Sequence, residues 1–156
     1  MNAPHTPNTA GRAAVAPAFV YRHAIGFEET NVVGNVYYAK HISWQGRCRE
    51  MFLKAHAPGV LQQIYDDLRL VTLNIACDYY DEFHAFDEVE VHMRLEGIWQ
   101  HRVGMTFDYY LGEGDQARLM AVGRQTIGCM RATQTGMEPI APPDELRAAL
   151  EKFAAK

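Results

Sequence analysis

Nearly all of the strand-like sequence in this chain follows one long helical stretch, and this order limits the folds that the chain can adopt. The helical pattern runs from about Val36 to His56, and four long strand patterns then occupy the chain from Leu68 to about Arg131. A helix followed by consecutive strands predicts α+β architecture, with the helix lying on a curved antiparallel sheet. An additional strand is predicted before the helix, from Ala18 to Glu28.

Two neighbouring stripes of side chains run along the predicted helix at steps of three or four residues. Their members are Ile42, Gln45, Arg49, Phe52 and His56 in one stripe, and Trp44, Cys48, Met51 and Ala55 in the other. Apolar residues in both stripes predict a helix largely wrapped by protein. Pro58 and Gly59 end it, and a short second helix or turn follows.

The strand patterns alternate between apolar and polar residues, which predicts a sheet with one covered face. The alternation is clearest at Val89, Val91, Met93 and Leu95, which are separated by Glu90, His92 and Arg94. Gly112 to Asp115 predicts a hairpin turn. A closing amphipathic helix is predicted in DELRAALEKFAA, with Asp144 as its N-cap.

Composition limits the number of domains and the classes of partner. With 156 residues and 48% apolar content, we expect one domain over residues 17–156, preceded by a flexible tail over residues 1–16. The net charge of −4 gives no basic footprint for nucleic acid. Since no window holds 18 uninterrupted apolar residues and no secretory signal opens the chain, we expect no membrane span and a cytoplasmic protein.

The cysteines and histidines show no metal-binding pattern. Cys48, Cys77 and Cys129 are odd in number and widely spaced, which favours reduced thiols over a disulfide framework. The chain has no CxxC or HxxxH spacing, so we expect no metal site.

The segment FEETNVVGNVYYAKHISWQGRCREMFL, residues 27–53, resembles the hotdog-fold acyl thioesterases of the 4-hydroxybenzoyl-CoA thioesterase type. Their pattern of an Asp, two residues, a Gly, an apolar-aromatic run and a later Trp matches this chain from Asn31 to Trp44, with Asn in place of Asp. The strings NVVGNVYY, WQGRCREMFL, LVTL at 70–73 and FDE at 86–88 resemble, over roughly residues 20–135, the thioesterases of enediyne polyketide biosynthesis.

The resemblance to the enediyne subgroup implies a set of site residues. Asn31 and Arg49 match its catalysts, and Thr72 matches a threonine near the substrate. The backbone N–H of Tyr38 matches the oxyanion donor, at the point where the Gly34 turn leads into the helix. Amides of a first helical turn lack intrahelical acceptors and lie at the positive end of the helix dipole, so a thioester oxygen can bind there.

The helix spacing places three further polar side chains together. His41, Gln45 and Arg49 share a broad helix face, and we expect the first two to contact substrate together with Gly34 and Thr72. Members of the subgroup usually carry Tyr where this chain has His41. A histidine has a pKa suited to proton transfer near neutrality, and it can also donate a hydrogen bond as Tyr does or serve only as a helix-start residue.

Structural roles for the same residues stay open at this point. Asn31 is also favoured as a helix cap or in an Asx-turn, and Thr72 as a plain β-former. Arg49 is alternatively an ion-pair partner of one of three carboxylates, namely Glu28, Glu29 or Glu50. Glu50 points about 100° away from Arg49 on the helix, so we expect it to be solvated or to lie between subunits.

The side-chain amide of Asn31 is neither a useful base nor a useful nucleophile. A guanidinium stays protonated, so Arg49 stabilises negative charge. The implied substrate is a β-ketoacyl polyene carried on the phosphopantetheine arm of an acyl carrier domain of an iterative polyketide synthase, and no other cofactor is expected. Its hydrolysis gives a β-keto acid, which can lose carbon dioxide to a polyene or methyl ketone.

Two other functions and an assembly are also considered. The alternatives are a general acyl-CoA thioesterase of the same fold and a non-catalytic module that binds or scaffolds a polyketide. The resemblance implies paired sheets in a dimer, an active site at the subunit boundary, and a homotetramer.

Overall fold

The computed structural model describes residues 16–155. Its helices are α1 (Ala39–His56), α2 (Pro58–Tyr65) and α3 (Asp144–Glu151). Its strands are β1 (Phe19–Ala24), β2 (Leu68–Tyr79), β3 (Glu88–Trp99), β4 (Arg102–Leu111), β5 (Arg118–Thr133) and β6 (Gly136–Pro139). Short 3₁₀ turns occupy Phe27–Glu29 and Gly114–Gln116. The predicted α+β class is confirmed, whereas residues 1–15 of the predicted tail lie outside the described residues.

The strands form one antiparallel sheet in the order β1-β3-β4-β5-β2, and β6 pairs with the end of β5. The sheet curls around α1, which contacts β1, β2, β3 and β5. β2 lies at the edge of the sheet and pairs with β5 along almost its whole length, from Leu68 opposite Arg131 to Tyr79 opposite Ala121. Within residues 16–155 the other edge of β2 has no strand partner.

The core lies between α1 and the concave face of the sheet. The predicted alternation in β3 is confirmed, because Val89, Val91 and Met93 are fully buried. α1 contributes Trp44, Cys48 and Phe52 to the same core. Its opposite side is exposed from Ser43 to Ala55, so the prediction of a helix wrapped on both stripes is wrong for part of the second stripe.

Several predicted boundaries are shifted by tertiary contacts. β1 ends at Ala24 rather than near Glu28, and the next residues form a 3₁₀ turn. α1 begins at Ala39 rather than Val36, because Val36 is paired with Thr30 in an antiparallel bridge and its N–H is bonded to the Phe83 carbonyl at 2.8 Å. Asp144 is the first residue of α3 and makes no capping hydrogen bond, so the predicted N-cap is wrong. No helix within residues 16–155 is long and apolar enough to cross a membrane.

A close approach between α1 and β5 depends on a glycine. A Cβ placed on Gly123 would lie 2.2 Å from the Nε2 atom of Gln45, and that buried amide is itself bonded to the Ala76 carbonyl at 3.1 Å. Gly46, the next residue of α1, has no atom within 4 Å of an added Cβ. The two glycines therefore differ in the space that each has for a methyl group.

We expect opposite effects on stability from alanine at these two glycines. Gly123→Ala displaces the Gln45 amide and lowers the free energy of unfolding by about 1–3 kcal/mol. Gly46→Ala favours the helix and raises the free energy of unfolding by about 1 kcal/mol. Urea unfolding of both variants measures the difference, and equal effects at the two positions would contradict the packing described for α1.

Candidate active site

The turn before α1 is built around Asn31. Its Oδ1 atom accepts the Val33 N–H at 3.0 Å, and its backbone carbonyl accepts the Gly34 N–H at 3.0 Å. This is an Asx-turn, one of the two structural roles predicted for Asn31. Gly34 has φ of +92°, a conformation that glycine adopts without steric cost. The Asn31 Nδ2 group has no acceptor among residues 16–155 and remains available to a ligand.

A buried carboxylate two residues earlier holds this turn against the rest of the fold. Glu29 accepts hydrogen bonds from the Gly26 N–H at 2.9 Å, from Trp44 Nε1 at 2.8 Å and from His23 Nε2 at 2.7 Å. Burial alone would raise the pKa of Glu29, but these three donors outweigh it and leave the pKa below its usual value. One charged group thus joins β1, the 3₁₀ turn and α1.

The first turn of α1 leaves an amide open. The Tyr37 N–H donates to the Glu29 carbonyl at 2.9 Å, and the Lys40 N–H donates to the Tyr37 carbonyl at 2.9 Å. Between them, the Tyr38 N–H has no acceptor within the described part of the chain. It lies at the positive end of the helix dipole, where an anionic oxygen is stabilised. The Tyr38 carbonyl accepts the Tyr79 hydroxyl at 2.7 Å, which ties the helix start to β2.

A cavity of about 310 Å³ opens beside this turn and brings three of the predicted site residues together. Asn31, Tyr38 and His41 line it, next to seven residues that are not among the predicted catalytic and substrate-binding residues. Those additional lining residues are Asn35, Val36, Tyr37, Tyr79, Asp81, Glu82 and Phe83. We call this space the helix-start cavity. The loop after β2 had no sequence signal for a site, because its acidic residues are typical of any exposed loop.

His41 is buried at the wall of the helix-start cavity. It is 3% exposed, and neither ring nitrogen has a hydrogen-bond partner. The ring lies 4.8 Å from Tyr79 and 5.0 Å from Trp44 between centroids. Burial lowers the pKa of His41 to about 4, and the nearby Tyr38 carbonyl offsets only part of that effect. The expectation of a pKa near neutrality is wrong, because water cannot solvate an imidazolium in this aromatic surrounding.

Gln45 and Arg49 lie further along the same helix face and do not line the helix-start cavity. Gln45 is fully buried against β2 and β5, and its Oε1 atom has no partner. Arg49 donates from Nη1 to Gln125 Oε1 at 2.7 Å. At 1.5 Å rise per residue, Arg49 lies about 12 Å along the helix from His41. The shared helix face is as predicted. Within a single chain, however, Arg49 lies apart from Asn31.

Arg49 lines a second cavity of about 380 Å³, which we call the Arg49 cavity. The remaining lining residues are mainly apolar: Leu53, Leu61, Ile64, Leu68, Leu70 and Val71, together with Glu50 and Arg69. Burial lowers the pKa of Arg49, and Glu50 raises it in part, but a guanidinium remains a cation at neutral pH.

The alternative role of Arg49, as an ion-pair partner of Glu28, Glu29 or Glu50, is not seen in the structure. Glu29 is held by His23 and Trp44 as described, and Glu50 pairs with Arg47 at 3.2 Å on the exposed side of α1. Arg49 therefore has a neutral partner, Gln125, and its positive charge is not cancelled by a carboxylate contact.

Thr72 lies outside both cavities. It is exposed on β2, beside an irregularity in the pairing with β5 between Thr72 and Asn74. No group of three or more His, Cys, Asp or Glu side chains that could hold a metal ion occurs within residues 16–155.

The arrangement in one chain thus combines an open backbone amide, a free side-chain amide and an uncharged imidazole around one cavity. Such groups can hold a carbonyl oxygen, a water molecule and a proton. The partly buried guanidinium of Arg49 lies about 12 Å along the helix from His41, at the other end of the helix face.

Comparison with known proteins assigns this architecture to a family. Residues 25–150 match the thioesterase-like superfamily. A crystal structure of the dynemicin thioesterase, from a study of polyene binding, superposes with a TM-score of 0.85 at 49% identity, covering 89% of this chain and 99% of that one. The predicted hotdog fold is confirmed by these matches.

More distant proteins share the fold. A crystal structure of an Asp-to-Asn mutant of 4-hydroxybenzoyl-CoA thioesterase, in complex with 4-hydroxybenzoyl-CoA, superposes with a TM-score of 0.73 at 13% identity over 86% of this chain and 99% of that one. A protein of Aquifex aeolicus (strain VF5) is 29% identical over 99 residues, which are 64% of this chain and 76% of that protein.

The depressed pKa of His41 predicts a loss of stability in acid. The pKa is about 4 in the folded state, against about 6.5 for an unperturbed histidine, so the unfolded chain binds the proton first as the pH falls. The free energy of unfolding therefore has its full value above pH 6.5 and falls progressively down to pH 4. The total loss from this histidine is about 3 kcal/mol. Urea unfolding at pH 7.0 and 4.5 should show this loss in the native protein and not in His41→Phe. His101→Phe serves as the control that keeps it.

Proposed function

The chain belongs to the thioesterase-like superfamily and is a thioester hydrolase, and we propose that its substrate is a β-ketoacyl polyene. In this proposal the acyl group is carried on the phosphopantetheine arm of an acyl carrier domain of an iterative, enediyne-type polyketide synthase. The observation that carries the proposal is the 49% identity, over 89% of this chain, to the dynemicin thioesterase, whose crystal structures concern polyene binding. No further cofactor is required, and reduced thiols and a carrier-borne substrate favour the cytoplasm.

The thioester oxygen binds at the start of α1 in this mechanism. The open Tyr38 N–H donates a hydrogen bond to this oxygen. That hydrogen bond becomes stronger as the carbonyl oxygen gains negative charge. An oxyanion donor of this kind typically contributes about 3 kcal/mol to transition-state stabilisation. Because the Glu29 carbonyl fixes the neighbouring Tyr37 N–H at 2.9 Å, the Tyr38 amide is held in place before substrate arrives.

Asn31 and Arg49 take the place of the family carboxylate by positioning and by charge. The free Nδ2 group of Asn31 donates to the substrate or to the attacking water, since its Oδ1 is already engaged by Val33. Arg49 stabilises negative charge on the β-keto system and, after hydrolysis, on the β-keto acid. Loss of carbon dioxide from that acid gives an enolate, which the same cation favours. Protonation of that enolate gives a polyenyl methyl ketone.

We propose that a second copy completes the site, which would account for the separation of the two cavities. β2 is a twelve-residue edge strand with an unpaired side, and Leu73 and Ile75 are exposed on it. Long unprotected edges tend to pair with another strand. Antiparallel pairing of two β2 edges places the Tyr79 end of one protomer beside the Leu68 end of its partner. The helix-start cavity then lies next to the partner's Arg49 cavity, with Thr72 at the boundary.

A general acyl-CoA thioesterase is the second candidate, because 4-hydroxybenzoyl-CoA thioesterase shares the fold. CoA carries phosphates, which favour a cluster of cations at the mouth of the site. The helix-start cavity is instead lined by two carboxylates, Asp81 and Glu82, and by no lysine or arginine. This lining favours an arm attached to a protein.

We expect the native protein to release thiol faster from a β-ketoacyl carrier protein than from the matching β-ketoacyl-CoA, and Arg49→Ala to lower kcat/KM on the carrier substrate about 100-fold. Thiol release measured with a disulfide reagent gives the rates, and mass spectrometry identifies the acid or ketone. Arg47→Ala, two residues away on the exposed side of α1, is the matched control. Equal rates in the native protein and Arg49→Ala would contradict the role of the buried cation.

The assembly prediction is a tetramer built from β2-paired dimers. Light scattering should give a mass of about four chains. Leu73→Pro removes a backbone donor from the free edge and introduces a ring there, so it should reduce the mass and the activity together. A native mass of one chain with full activity would contradict a site shared between protomers.

A further inference from the structure

We propose that His41 is the proton acceptor of the hydrolysis, taking a proton from the water that attacks the thioester carbonyl. The inference rests on the proposed function, since it names the base of the same site. It supplies what the site otherwise lacks, because Asn31 stands where a carboxylate would be and Arg49 cannot accept a proton at neutral pH.

The position of the imidazole carries the inference. His41 lines the helix-start cavity with Asn31 and Tyr38, yet it is 3% exposed and both of its nitrogens lack a partner. Buried polar side chains in folded proteins are almost always hydrogen-bonded, and an exception needs an explanation. A nitrogen that becomes bonded only when water and substrate enter the cavity is such an explanation.

The carboxylates of the cavity already have partners, and the buried Asn35 Oδ1, which has none, is an amide oxygen that does not take up a proton at neutral pH. Asp81 pairs with Arg118 at 3.2 Å, and Glu82 accepts a hydrogen bond from Asn35 Nδ2 at 2.8 Å. The Asn31 Oδ1 atom accepts the Val33 N–H. His41 is therefore the one titratable side chain of the cavity wall that is both buried and without a hydrogen bond, within residues 16–155.

The groups around the ring keep it uncharged. β2 and β4 face it with Tyr79 and Tyr109, whose ring centroids lie 4.8 and 5.4 Å away. Trp44 of the same helix packs against it at 5.0 Å and separates it from the Glu29–His23 pair. Asp81 and Glu82 are the charged residues of the cavity, at its exposed rim.

Without a carboxylate bonded to either nitrogen, His41 is neutral above about pH 5 and keeps a free lone pair. Access to that lone pair involves Tyr79. This residue is 43% exposed, and its hydroxyl is bonded to the Tyr38 carbonyl at 2.7 Å. The proposal requires the acyl arm, bound at the same helix start, to displace the Tyr79 side chain and so uncover the imidazole.

In the proposed step, the proton that His41 takes from water is returned to the leaving sulfur. Water oxygen forms a bond to the thioester carbon while one water proton passes to the imidazole, and the carbonyl oxygen becomes an oxyanion on the Tyr38 N–H. When the intermediate collapses, the carbon–sulfur bond breaks and the imidazolium returns the proton to the leaving sulfur. The products are the β-keto acid and the free phosphopantetheine thiol, and His41 is again neutral.

The test compares pH profiles of kcat/KM on a β-ketoacyl carrier protein. A base must be unprotonated, so the native rate should stay level as the pH falls from 8 to about 5 and drop only near pH 4. His41→Phe should lower kcat about 100-fold and leave a residual rate that rises in proportion to hydroxide, which replaces the missing base. A purely structural role of His41 would not produce that hydroxide dependence.

Two further variants make the result decisive. His41→Gln keeps a hydrogen-bonding side chain without proton uptake, so it should retain KM and lose kcat as His41→Phe does. His101→Gln, at the distant β3–β4 turn, should behave as the native protein. Circular dichroism and urea unfolding confirm that each variant is folded before its rate is compared.

Three results overturn the inference. Full kcat in His41→Gln would reduce the residue to a hydrogen-bonding role. Loss of activity in Glu82→Gln or Asp81→Asn, with His41→Phe unaffected, would move the base to the cavity rim. Absence of thiol release by the native protein from both carrier and CoA esters would instead contradict the proposed function, and the role of His41 with it.

Discussion

The buried carboxylate of Glu29 links the segments that form the helix-start cavity. It accepts hydrogen bonds from β1 through His23, from the 3₁₀ turn through Gly26, and from α1 through Trp44. A buried charge with three donors is stable only in one arrangement of those donors, because loss of any of them leaves it partly unsatisfied. The Asn31 turn and the start of α1 consequently have a fixed relative position before any ligand binds.

The helix face that points into the sheet is unusual in carrying polar residues. His41, Gln45 and Arg49 occupy positions where apolar side chains would pack more simply against β5. Each is accommodated differently: Gln45 by the absence of a side chain at Gly123, Arg49 by the side-chain amide oxygen of Gln125, and His41 by remaining uncharged among aromatic rings. Buried polar groups of this kind cost stability unless satisfied, and sites of chemistry are where such costs are commonly found.

The two cavities lie apart in one chain, and the proposed pairing of two β2 edges would bring them together. A site divided between protomers forms only on assembly, so its cation and its open amide need not be adjacent in the monomer. The sheet edge that carries Leu73 and Ile75 would otherwise remain exposed to unspecific pairing. In the proposed dimer, assembly and formation of the site depend on the same strand.

Local patterns in the sequence were sufficient for the class of fold, the long helix, the strand alternation and the turn at Gly34, because periods of 3.6 and 2 residues and a glycine's backbone freedom are properties of short segments. They also placed His41, Gln45 and Arg49 on one helix face. Only the tertiary structure decided that His41 is uncharged, that Arg49 contacts Gln125 rather than a carboxylate, and that Asn31 and Arg49 line different cavities. Burial and partners come from residues distant in the chain, and one segment's pattern carries no record of them.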